Sequence, residues 1–383
     1  MKRRQFTIAL AAGGTGGHVI PAQALAAELA RRGHRPVLLT DRRGLRYAPL
    51  FPDIPVHEVA NAPAGSGLLT RIRSGLMAIG GSLRAARLLR DIDASAVIGF
   101  GGYPSLPSGF GAFLAGVPLA LHEQNAVFGG SNRLLARVAQ FVALSAPDTQ
   151  RLPRWISNQH VTGNPVRPAV TLLRDRDYPT PEADGPLRIL VIGGSQGATI
   201  LSDVVPAAIS ALPKAMYARL AIIQQAREED LDRVRNAYQS LGIAAAVLPF
   251  IDNLPTELAE AHLMIARSGA STVSELSAAG RPAILVPFAA ATDDHQTANA
   301  AELRDAGGAW VIAQKDFTPG TLAKLLQSLL REPTQLVTAA AAARATGRPN
   351  AASDIADLIE RMILARGPLA ALPLLDEQNK DAA

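Results

Sequence analysis

The chain has 383 residues, more than one ordinary hydrophobic core accommodates, and its 48% hydrophobic and 19% charged residues argue against disorder except at the ends. With no cysteine, disulfides and thiolate metal sites are excluded. The net charge of +5 (38 basic minus 33 acidic residues) favours an anionic partner, whereas an aromatic content of 4% argues against nucleic acid, whose single strands stack on aromatic rings.

Short apolar runs alternate with helical segments along the chain, a pattern typical of βαβ units in parallel sheets. The first run leads directly into the glycines of Gly13–Gly17, so we expect a strand rather than a signal peptide. No stretch approaches the ~20 apolar residues of a membrane span. The predicted strands are Phe6–Leu10, Val37–Thr40, Ala96–Phe100, Leu119–His122, Phe141–Leu144, Arg188–Ile192, Leu220–Gln224, Ala246–Pro249, Leu263–Ala266 and Ala283–Val286.

Both halves of the chain open with an apolar strand, a Gly-Gly-x-x-Gly turn and an alanine-rich helix. This repetition predicts an α/β protein with two Rossmann-like domains facing a cleft, where ligands commonly bind. The predicted divisions are a first domain at 1–167, a proline-rich linker at 168–186, a second domain at 187–345, a helix at 346–370 that packs back toward the first domain, and a tail at 371–383.

The two glycine-rich turns, Gly13–Gly17 and Gly193–Gly197, predict sites for a nucleotide-activated substrate. Glycine lets the backbone approach a phosphate, and the following helix offers free N–H groups and a partial positive charge. One such turn fits a structural role equally well, but two at matching places favour ligand binding. Asp41 also suits the ribose of a dinucleotide in a dehydrogenase. That alternative ranks lower, because arginines follow Asp41 and the second half repeats the fold.

A third segment, Arg267–Glu275, follows a predicted strand in the second half. Its small and hydroxyl residues leave N–H groups at the helix start open to a diphosphate. Glu275 lies one turn further on, where a carboxylate could accept both hydroxyls of a ribose. Taken alone, the segment is better explained by an ordinary helix with a Ser/Thr cap and an acid near its start.

Six motifs occur in a fixed order: Gly13–His18, His122–Asn125, Gly163–Arg167, Gly193–Ala198, Arg267–Glu275 and His295–Asn299. In these motifs, from about Phe6 to beyond Asn299, the chain resembles the MurG family of UDP-N-acetylglucosamine (UDP-GlcNAc) transferases. Related nucleotide-sugar transferases share the donor loop but lack the His-Glu-Gln-Asn and Gly-Gly-Thr-Gly-Gly-His pair. The resemblance implies the GT-B fold and inverting transfer of GlcNAc to the C4 hydroxyl of MurNAc-(pentapeptide)-diphosphoundecaprenol, with no cofactor.

The resemblance also implies which residues bind each substrate. For UDP-GlcNAc they are Thr15, Gly16, Gly17, Asn125, Arg167, Ser195, Ile251, Ala270, Ser271, Thr272, Val273, Ser274, Glu275 and Gln296. For the lipid-linked MurNAc-pentapeptide they are Thr15, His18, Tyr103, His122, Glu123 and Asn125. The implied roles place Arg167 at the diphosphate, Glu275 at the ribose and Gln296 at the sugar. The family often has a glutamine where this chain has His295, so His295 receives no role.

The catalytic base is predicted to be either His18 or Glu123. His18 begins the helix after the first glycine turn, and histidine titrates near neutral pH. A helix N-terminus disfavours a protonated ring, which keeps a base neutral but also fits a structural or phosphate-binding role. Glu123 ends another strand of the same domain, so both candidates stay open.

Metal catalysis is not expected, although Asp-x-Asp pairs occur at 91–93, 175–177 and 230–232. The first precedes its strand, the second lies in the linker and the third in a charged helical run, so we interpret all three as solvated charges. Helix N-termini and Arg167 then stabilise the departing UDP, which agrees with the metal-free pattern of the family.

An apolar stripe recurs at helical spacing in Leu69, Ile72, Leu76, Ile79 and Leu83. It is interleaved with Arg71, Arg73, Arg84, Arg87 and Arg90, with no acid between them. A helix packed on its own core explains the stripe equally well. The implied lipid-linked acceptor favours binding to an anionic membrane surface, with Phe110 and Phe113 adding to the patch. We therefore expect a peripheral protein on the cytoplasmic face of the inner membrane, with other cell-wall synthesis proteins among its partners.

Two further functions remain open. A UDP-GlcNAc epimerase on the same fold would need a dense set of acids and histidines around the donor, which Arg267–Glu275 does not supply. A non-catalytic UDP-sugar sensor would bind the donor without turnover and would not need His18.

Overall fold

The computed structural model describes residues 4–59, 68–182, 184–194 and 197–365, excepting the side chains of 68–78. The strands are β1 Thr7–Ala11, β2 Arg35–Thr40, β3 Val56–Glu58, β4 Ala94–Gly99, β5 Leu119–Glu123, β6 Phe141–Leu144, β7 Gln159–Val161, β8 Leu187–Ile192, β9 Leu220–Gln225, β10 Ala244–Leu248, β11 Leu263–Ala266, β12 Ala283–Leu285 and β13 Ala309–Val311. The α-helices are α1 Gly16–Arg31, α2 Leu68–Asp91, α3 Ser105–Ala115, α4 Gly130–Leu135, α5 Pro168–Thr171, α6 Thr199–Ser210, α7 Leu231–Ser240, α8 Leu254–Glu260, α9 Ala270–Ala279, α10 His295–Asp305, α11 Pro319–Arg331, α12 Thr334–Thr346 and α13 Ala351–Leu364.

The strands form two parallel sheets with the same topology. The first has the order β3-β2-β1-β4-β5-β6-β7 and the second β10-β9-β8-β11-β12-β13. In both, the order reverses beside the first strand, so a topological switch point lies between β1 and β4 and between β8 and β11. The two glycine-rich turns follow β1 and β8 and therefore lie at the two switch points, where such sheets bind ligands. The prediction of two Rossmann-like domains is confirmed.

Every predicted strand is present, with ends displaced by two residues at most. The sequence analysis missed β3, β7 and β13, each of which has three residues and lies at the edge of its sheet. An edge strand pairs on one side only, and three residues are too few to establish a periodicity. Their pairing with a neighbouring strand therefore defines them.

Each sheet is covered on both faces by helices, so its central strands are buried throughout. In the first domain Ile8, Leu10 and Ile98 are inaccessible to solvent. The second domain also buries Val170 and Leu173, which lie in α5 and the short turn that follows it. The first part of the connection between the sheets is therefore packed against the second domain.

The last helix of the described chain, α13, returns to the first domain. Its Ile355 and Ile359 join the apolar core formed with α1. At the end of α1, Arg32 contacts Asp357 and donates to Glu360 at 3.0 Å. The chain therefore crosses between the two domains a second time, beside the connection through α5, and these contacts hold α13 on the first domain. A direct ion pair also joins Arg151 to Asp293.

Candidate active site in the interdomain cleft

The first glycine turn is held rigidly by the buried carboxylate of Asp41. Its Oδ1 accepts from the backbone N–H of Gly14 at 3.1 Å and of Gly44 at 2.8 Å. A Cβ on Gly13 would lie 2.7 Å from the same Oδ1, so only glycine allows this approach. Because Asp41 is fully buried and used by the turn, the dehydrogenase alternative loses its ribose-binding residue.

The turn presents free donors to the cleft. Thr15 precedes α1 as an exposed N-cap whose side chain caps nothing, and Gly17 is exposed beside it. Within the described part of the chain, the backbone N–H groups of Gly16 and Gly17 have no acceptor. They form a pair of free donors at the positive end of a long helix.

Two histidines of this domain, His18 and His122, are joined by a buried glutamine. His18 Nδ1 lies 3.0 Å from Gln124 Oε1, and Gln124 Nε2 lies 3.0 Å from His122 Nδ1. His122 Nε2 lies 3.1 Å from the carbonyl oxygen of Gly163. Burial lowers the pKa of His122 to about 4, so this ring is neutral at physiological pH. His18 lies over the turn after β4, close to Gly101 and Gly102.

The carboxylate of Glu123, the other predicted base, is occupied by donors. Oε1 accepts from the backbone N–H of Asn125 at 3.1 Å and from its side chain at 3.3 Å. Oε2 accepts from the backbone N–H of Gly129 at 2.9 Å and from Asn132 Nδ2 at 2.8 Å. The side chain is almost fully buried. Glu123 therefore holds the loop after β5, and the sequence analysis missed its partner Asn132, which no motif marks.

The second glycine turn is similarly tight. A Cβ on Gly193 would lie 2.3 Å from the backbone nitrogen of Ala198, and Gly194 has a φ of +89°. The backbone N–H of Gly193 donates to Gln225 Oε1 at 3.2 Å, which ties the turn to the neighbouring strand. Ser195, predicted to bind UDP-GlcNAc, lies outside the described residues.

The start of α9 combines a helix N-terminus with unpartnered buried hydroxyls. The N-cap residue of α9 is Gly269, which has no side chain that could cap the helix. The hydroxyl groups of Ser268 and Ser271 are buried, and neither has a hydrogen-bond partner. Ala270 and Val273 are buried around them, while Thr272 and Ser274 are partly accessible. Buried hydroxyls without a protein partner can bind water or a ligand, and this end of the helix suits an anion.

Arg167 and Glu275, predicted at the diphosphate and the ribose, are paired with each other. Arg167 donates to the two carboxylate oxygens of Glu275, both at 2.7 Å. Burial opposes the charge on Arg167, but the pair with Glu275 outweighs it, so the pKa of Arg167 is raised. The pair spans the gap between the residue before α5 and the second turn of α9.

Asn299 bridges the two halves of the cleft. Its Oδ1 accepts from the backbone N–H of Ala126 at 2.8 Å, and its Nδ2 donates to Asn125 Oδ1 at 3.2 Å. The same Nδ2 donates to the carbonyl of Ser268 at 3.3 Å. One side chain therefore connects the loop after β5 with the loop before α9. The sequence analysis placed Asn299 in a motif but gave it no role.

The other predicted contacts lie around this cleft. Tyr103 is half exposed, with the Arg43 guanidinium 6.0 Å from its ring centroid. Gln296 accepts from the backbone N–H of Phe288 at 3.0 Å, which leaves its amide nitrogen free to donate. Ile251 is buried in the second-domain core just beyond β10.

An apolar surface lies on α2 and α3. Ile79 is 61% and Phe113 63% exposed, and Leu83 and Arg84 are exposed beside them. Packing against the core therefore does not explain these members of the stripe. Phe110 is partly buried and packs against the core, so it contributes less exposed area than Phe113. The side chains of Leu69, Ile72 and Leu76 lie outside the described residues, and no helix in the described ranges is long and apolar enough to cross a membrane.

The interpretation of the third Asp-x-Asp pair was wrong in part. Asp230 is buried, and its carboxylate contacts Arg233 at 2.6 Å. Its side chain is therefore a structural ion-pair partner rather than a solvated charge. Across the ranges that the structure describes, no three His, Asp or Glu side chains come together as a metal site would require.

The N-terminal domain model of glycosyltransferase family 28 matches residues 8–144, and the C-terminal domain model of that family matches 188–361. The protein from Rhodospirillum centenum is 51% identical over 92% of this chain and 93% of its own. The chain belongs to the MurG family of glycosyltransferase family 28. The relative from Paramagnetospirillum magneticum is 49% identical over 95% of this chain and 98% of its own length. Both are named UDP-N-acetylglucosamine–N-acetylmuramyl-(pentapeptide) pyrophosphoryl-undecaprenol N-acetylglucosamine transferase.

The same membership is visible in three dimensions. The crystal structure of MurG from Acinetobacter baumannii superposes with a TM-score of 0.76 at 34% identity, over 93% of this chain and 99% of that one. The fold is therefore GT-B, with two Rossmann-like domains facing one cleft. The two family-28 models divide the chain between the same two sheets.

Proposed function

We propose that this protein transfers GlcNAc from UDP-GlcNAc to the lipid-linked MurNAc-pentapeptide, converting lipid I to lipid II in peptidoglycan synthesis. The observation that carries the proposal is the pair of sites joined by Asn299. On one side lies a helix N-terminus with the orphaned hydroxyls of Ser268 and Ser271, suited to a diphosphate. On the other lies His18, with donors of the first glycine turn beside it.

On the donor side, the diphosphate of UDP-GlcNAc binds at the start of α9. Free N–H groups and the hydroxyls of Ser268 and Ser271 stabilise the charge that develops on the departing UDP. Glu275 accepts from the ribose hydroxyls, for which its pair with Arg167 must open. Breaking a buried pair is costly, so the exchange is favourable only because Arg167 moves to the diphosphate as Glu275 moves to the ribose. Gln296 donates to the sugar hydroxyls.

On the acceptor side, His18 is the base. Its Nε2 accepts the proton of the MurNAc C4 hydroxyl, whose oxygen attacks the anomeric carbon of GlcNAc on the face opposite UDP. A C–O bond forms while the bond from that carbon to the phosphate oxygen breaks, and its electron pair leaves with UDP. The attack inverts the anomeric configuration and forms a β-1,4 link. Glu123, whose oxygens are occupied by donors, positions the loop that carries Gln124 and Asn125.

The apolar surface of Ile79, Leu83 and Phe113 would bring this cleft to its lipid-linked acceptor. Exposed apolar side chains with Arg84 beside them suit an anionic bilayer surface. We place the protein at the cytoplasmic face of the inner membrane, where other cell-wall synthesis proteins would be its neighbours.

The decisive experiment measures UDP release from UDP-GlcNAc with and without a lipid-diphosphate MurNAc-pentapeptide. We expect release that depends on the acceptor and is matched by a disaccharide product. Release without acceptor would favour the epimerase, and binding without release would favour the sensor. His18→Ala should lower kcat by roughly 10²- to 10⁴-fold, the usual contribution of a general base. His57→Ala, which changes a histidine on β3, is the matched control; near-normal turnover of His18→Ala would exclude His18 as the base.

A further inference from the structure

We propose that Gln124 is a positioning residue that fixes the tautomer of His18, so that Nε2 of His18 is the unprotonated nitrogen facing the acceptor. This inference rests on the proposed function for its catalytic meaning. Its structural content, a fixed direction of hydrogen bonding from Gly163 to His18, stands independently of any reaction.

The backbone carbonyl of Gly163 sets the direction of the first hydrogen bond in this series. The oxygen of Gly163 can only accept, so His122 Nε2, at 3.1 Å, must carry a proton. Burial lowers the pKa of His122 to about 4, which excludes a second proton on the ring at neutral pH. His122 Nδ1 is therefore an acceptor and needs a donor.

A second backbone carbonyl fixes the amide of Gln124. Gln124 Nε2 lies 3.0 Å from His122 Nδ1 and 3.0 Å from the carbonyl oxygen of His122. Both are acceptors, and the two N–H bonds of one amide nitrogen satisfy them together. The opposite orientation of the amide would place its oxygen against both acceptors. The amide oxygen must therefore face His18.

The orientation of Gln124 determines the proton on His18. Its Oε1 can only accept, so His18 Nδ1, at 3.0 Å, is the donor. In the neutral ring the other nitrogen, Nε2, then has a free lone pair. Nε2 has no hydrogen-bond partner in the described part of the chain. A neutral histidine side chain in water instead prefers its proton on Nε2, so without Gln124 most of the rings would present the wrong nitrogen.

Gln124 is also held firmly enough for this role. Its side chain is 2% exposed, and its backbone carbonyl accepts from the hydroxyl of Ser145 at 2.7 Å. A neutral amide orients the ring without the charge that a carboxylate would add. His18 therefore receives its tautomer without a negative partner that would hold the proton after it has been accepted.

Nitrogen-15 spectra of histidine-labelled protein test the tautomer directly. The His18 signals are identified by their loss in His18→Ala. At neutral pH we expect the wild-type ring to show a protonated Nδ1 and an unprotonated Nε2, and Gln124→Leu to move the proton mainly to Nε2. Gln140→Leu is the matched control, since it removes another amide that bonds a backbone group of this domain, the N–H of Leu119. A wild-type ring protonated on Nε2 would overturn the proposal.

Kinetics test whether Gln124 acts through His18. We expect Gln124→Leu to lower kcat at least tenfold with an unchanged KM for UDP-GlcNAc. In the His18→Ala background the same substitution should have no further effect on kcat, because the ring that it orients is gone. If the factors by which the two substitutions lower kcat multiplied in the double variant, Gln124 would act on a group other than His18, which would contradict the proposal. Gln124→Met serves as the second variant if Gln124→Leu does not fold.

The two readouts separate the two claims. If the wild-type protein transfers no sugar, the proposed function fails, while the spectra still decide the direction of the hydrogen bonds. If the wild-type protein transfers the sugar and His18→Ala still does so, His18 is not the base. The hydrogen bonds from Gly163 to His18 then have no catalytic role. If both the spectra and the double substitution behave as expected, Gln124 is the positioning residue of the base.

Discussion

The acceptor side and the donor side of the cleft differ in how complete they are without substrate. Around the first glycine turn, Asp41, Glu123 and Gln124 are all occupied by protein partners. Around α9, the hydroxyl groups of Ser268 and Ser271 have no partner among the described residues, and the side chains of Arg167 and Glu275 bind each other. Under the proposed function, the acceptor side is organised in advance to hold a base, whereas the donor side offers polar groups that UDP-GlcNAc would bind.

This difference has a physical reason. A base must face its substrate in one tautomer and orientation, so its supporting groups have to be held by fixed partners. A donor that binds and leaves in every cycle needs groups whose hydrogen bonds it can take over. Substitutions on the acceptor side should therefore change stability and kcat, whereas a substitution at the ribose contact of the donor side should change KM.

The largest effect should come from Glu123→Ala. Removing the carboxylate leaves four N–H donors of a buried loop without their acceptor, so we expect a loss of about 4 kcal/mol in the free energy of unfolding. Urea unfolding measures it, with the exposed Glu58→Ala as control. An active-site base with no structural role would instead lose turnover at unchanged stability, and that result would contradict our assignment.

The free energy of unfolding should depend on pH because His122 is buried in the folded chain. Its pKa is lowered from 6.5 to about 4 in the folded chain, so the unfolded chain binds more protons between these values. The neutral, buried ring of His122 therefore contributes about 3 kcal/mol to the free energy of unfolding. This contribution is complete above pH 6.5 and is lost as the pH falls toward 4. His122→Gln should flatten the profile of unfolding free energy over this window. His262→Gln is its second-domain counterpart, since burial lowers the pKa of His262 to about 4 as well; an unchanged slope in His122→Gln would show that His122 is not buried neutral.

On the donor side, Glu275→Ala should raise the KM for UDP-GlcNAc by roughly 30-fold, about 2 kcal/mol, at nearly unchanged kcat. The wild-type enzyme should discriminate against 2′-deoxy-UDP-GlcNAc, and the variant should lose that discrimination. Glu260→Ala is the matched control, because it removes an exposed ion pair with Arg188. If Glu275→Ala raised the KM for UDP-GlcNAc and for its 2′-deoxy analogue by the same factor, Glu275 would not bind the ribose.

The smallest effect concerns the apolar surface. Phe113→Ser should lower the partition coefficient onto phosphatidylglycerol vesicles by roughly tenfold, since burial of such a side chain is worth about 1.5–3 kcal/mol. Leu172→Ser changes an equally exposed residue elsewhere and should leave binding unchanged. The two variants are compared by co-sedimentation at one salt concentration. Equal losses in both would show that the α2–α3 surface has no special affinity for the bilayer.

The sequence alone determined the two Rossmann-like domains and the positions of the glycine turns. Buried central strands such as β1 and β8 can be predicted from their continuous apolar runs, and glycine turns can be predicted from the spacing of their glycines. The edge strands β3, β7 and β13 were not predictable, because their three residues have no pattern apart from a partner strand.

Motifs also marked candidate site residues, but not their mutual bonds. They brought His18, Glu123 and Glu275 to the list of candidates through segments far apart in the chain, whereas Gln124 was only one member of the motif His122–Asn125. Only the tertiary structure decided that Glu123 is occupied by four donors, that Arg167 meets Glu275, and that Gln124 lies between two histidines. Hydrogen-bond partners depend on distances and directions between segments that the fold brings together, and these are a property of the packing rather than of any one segment.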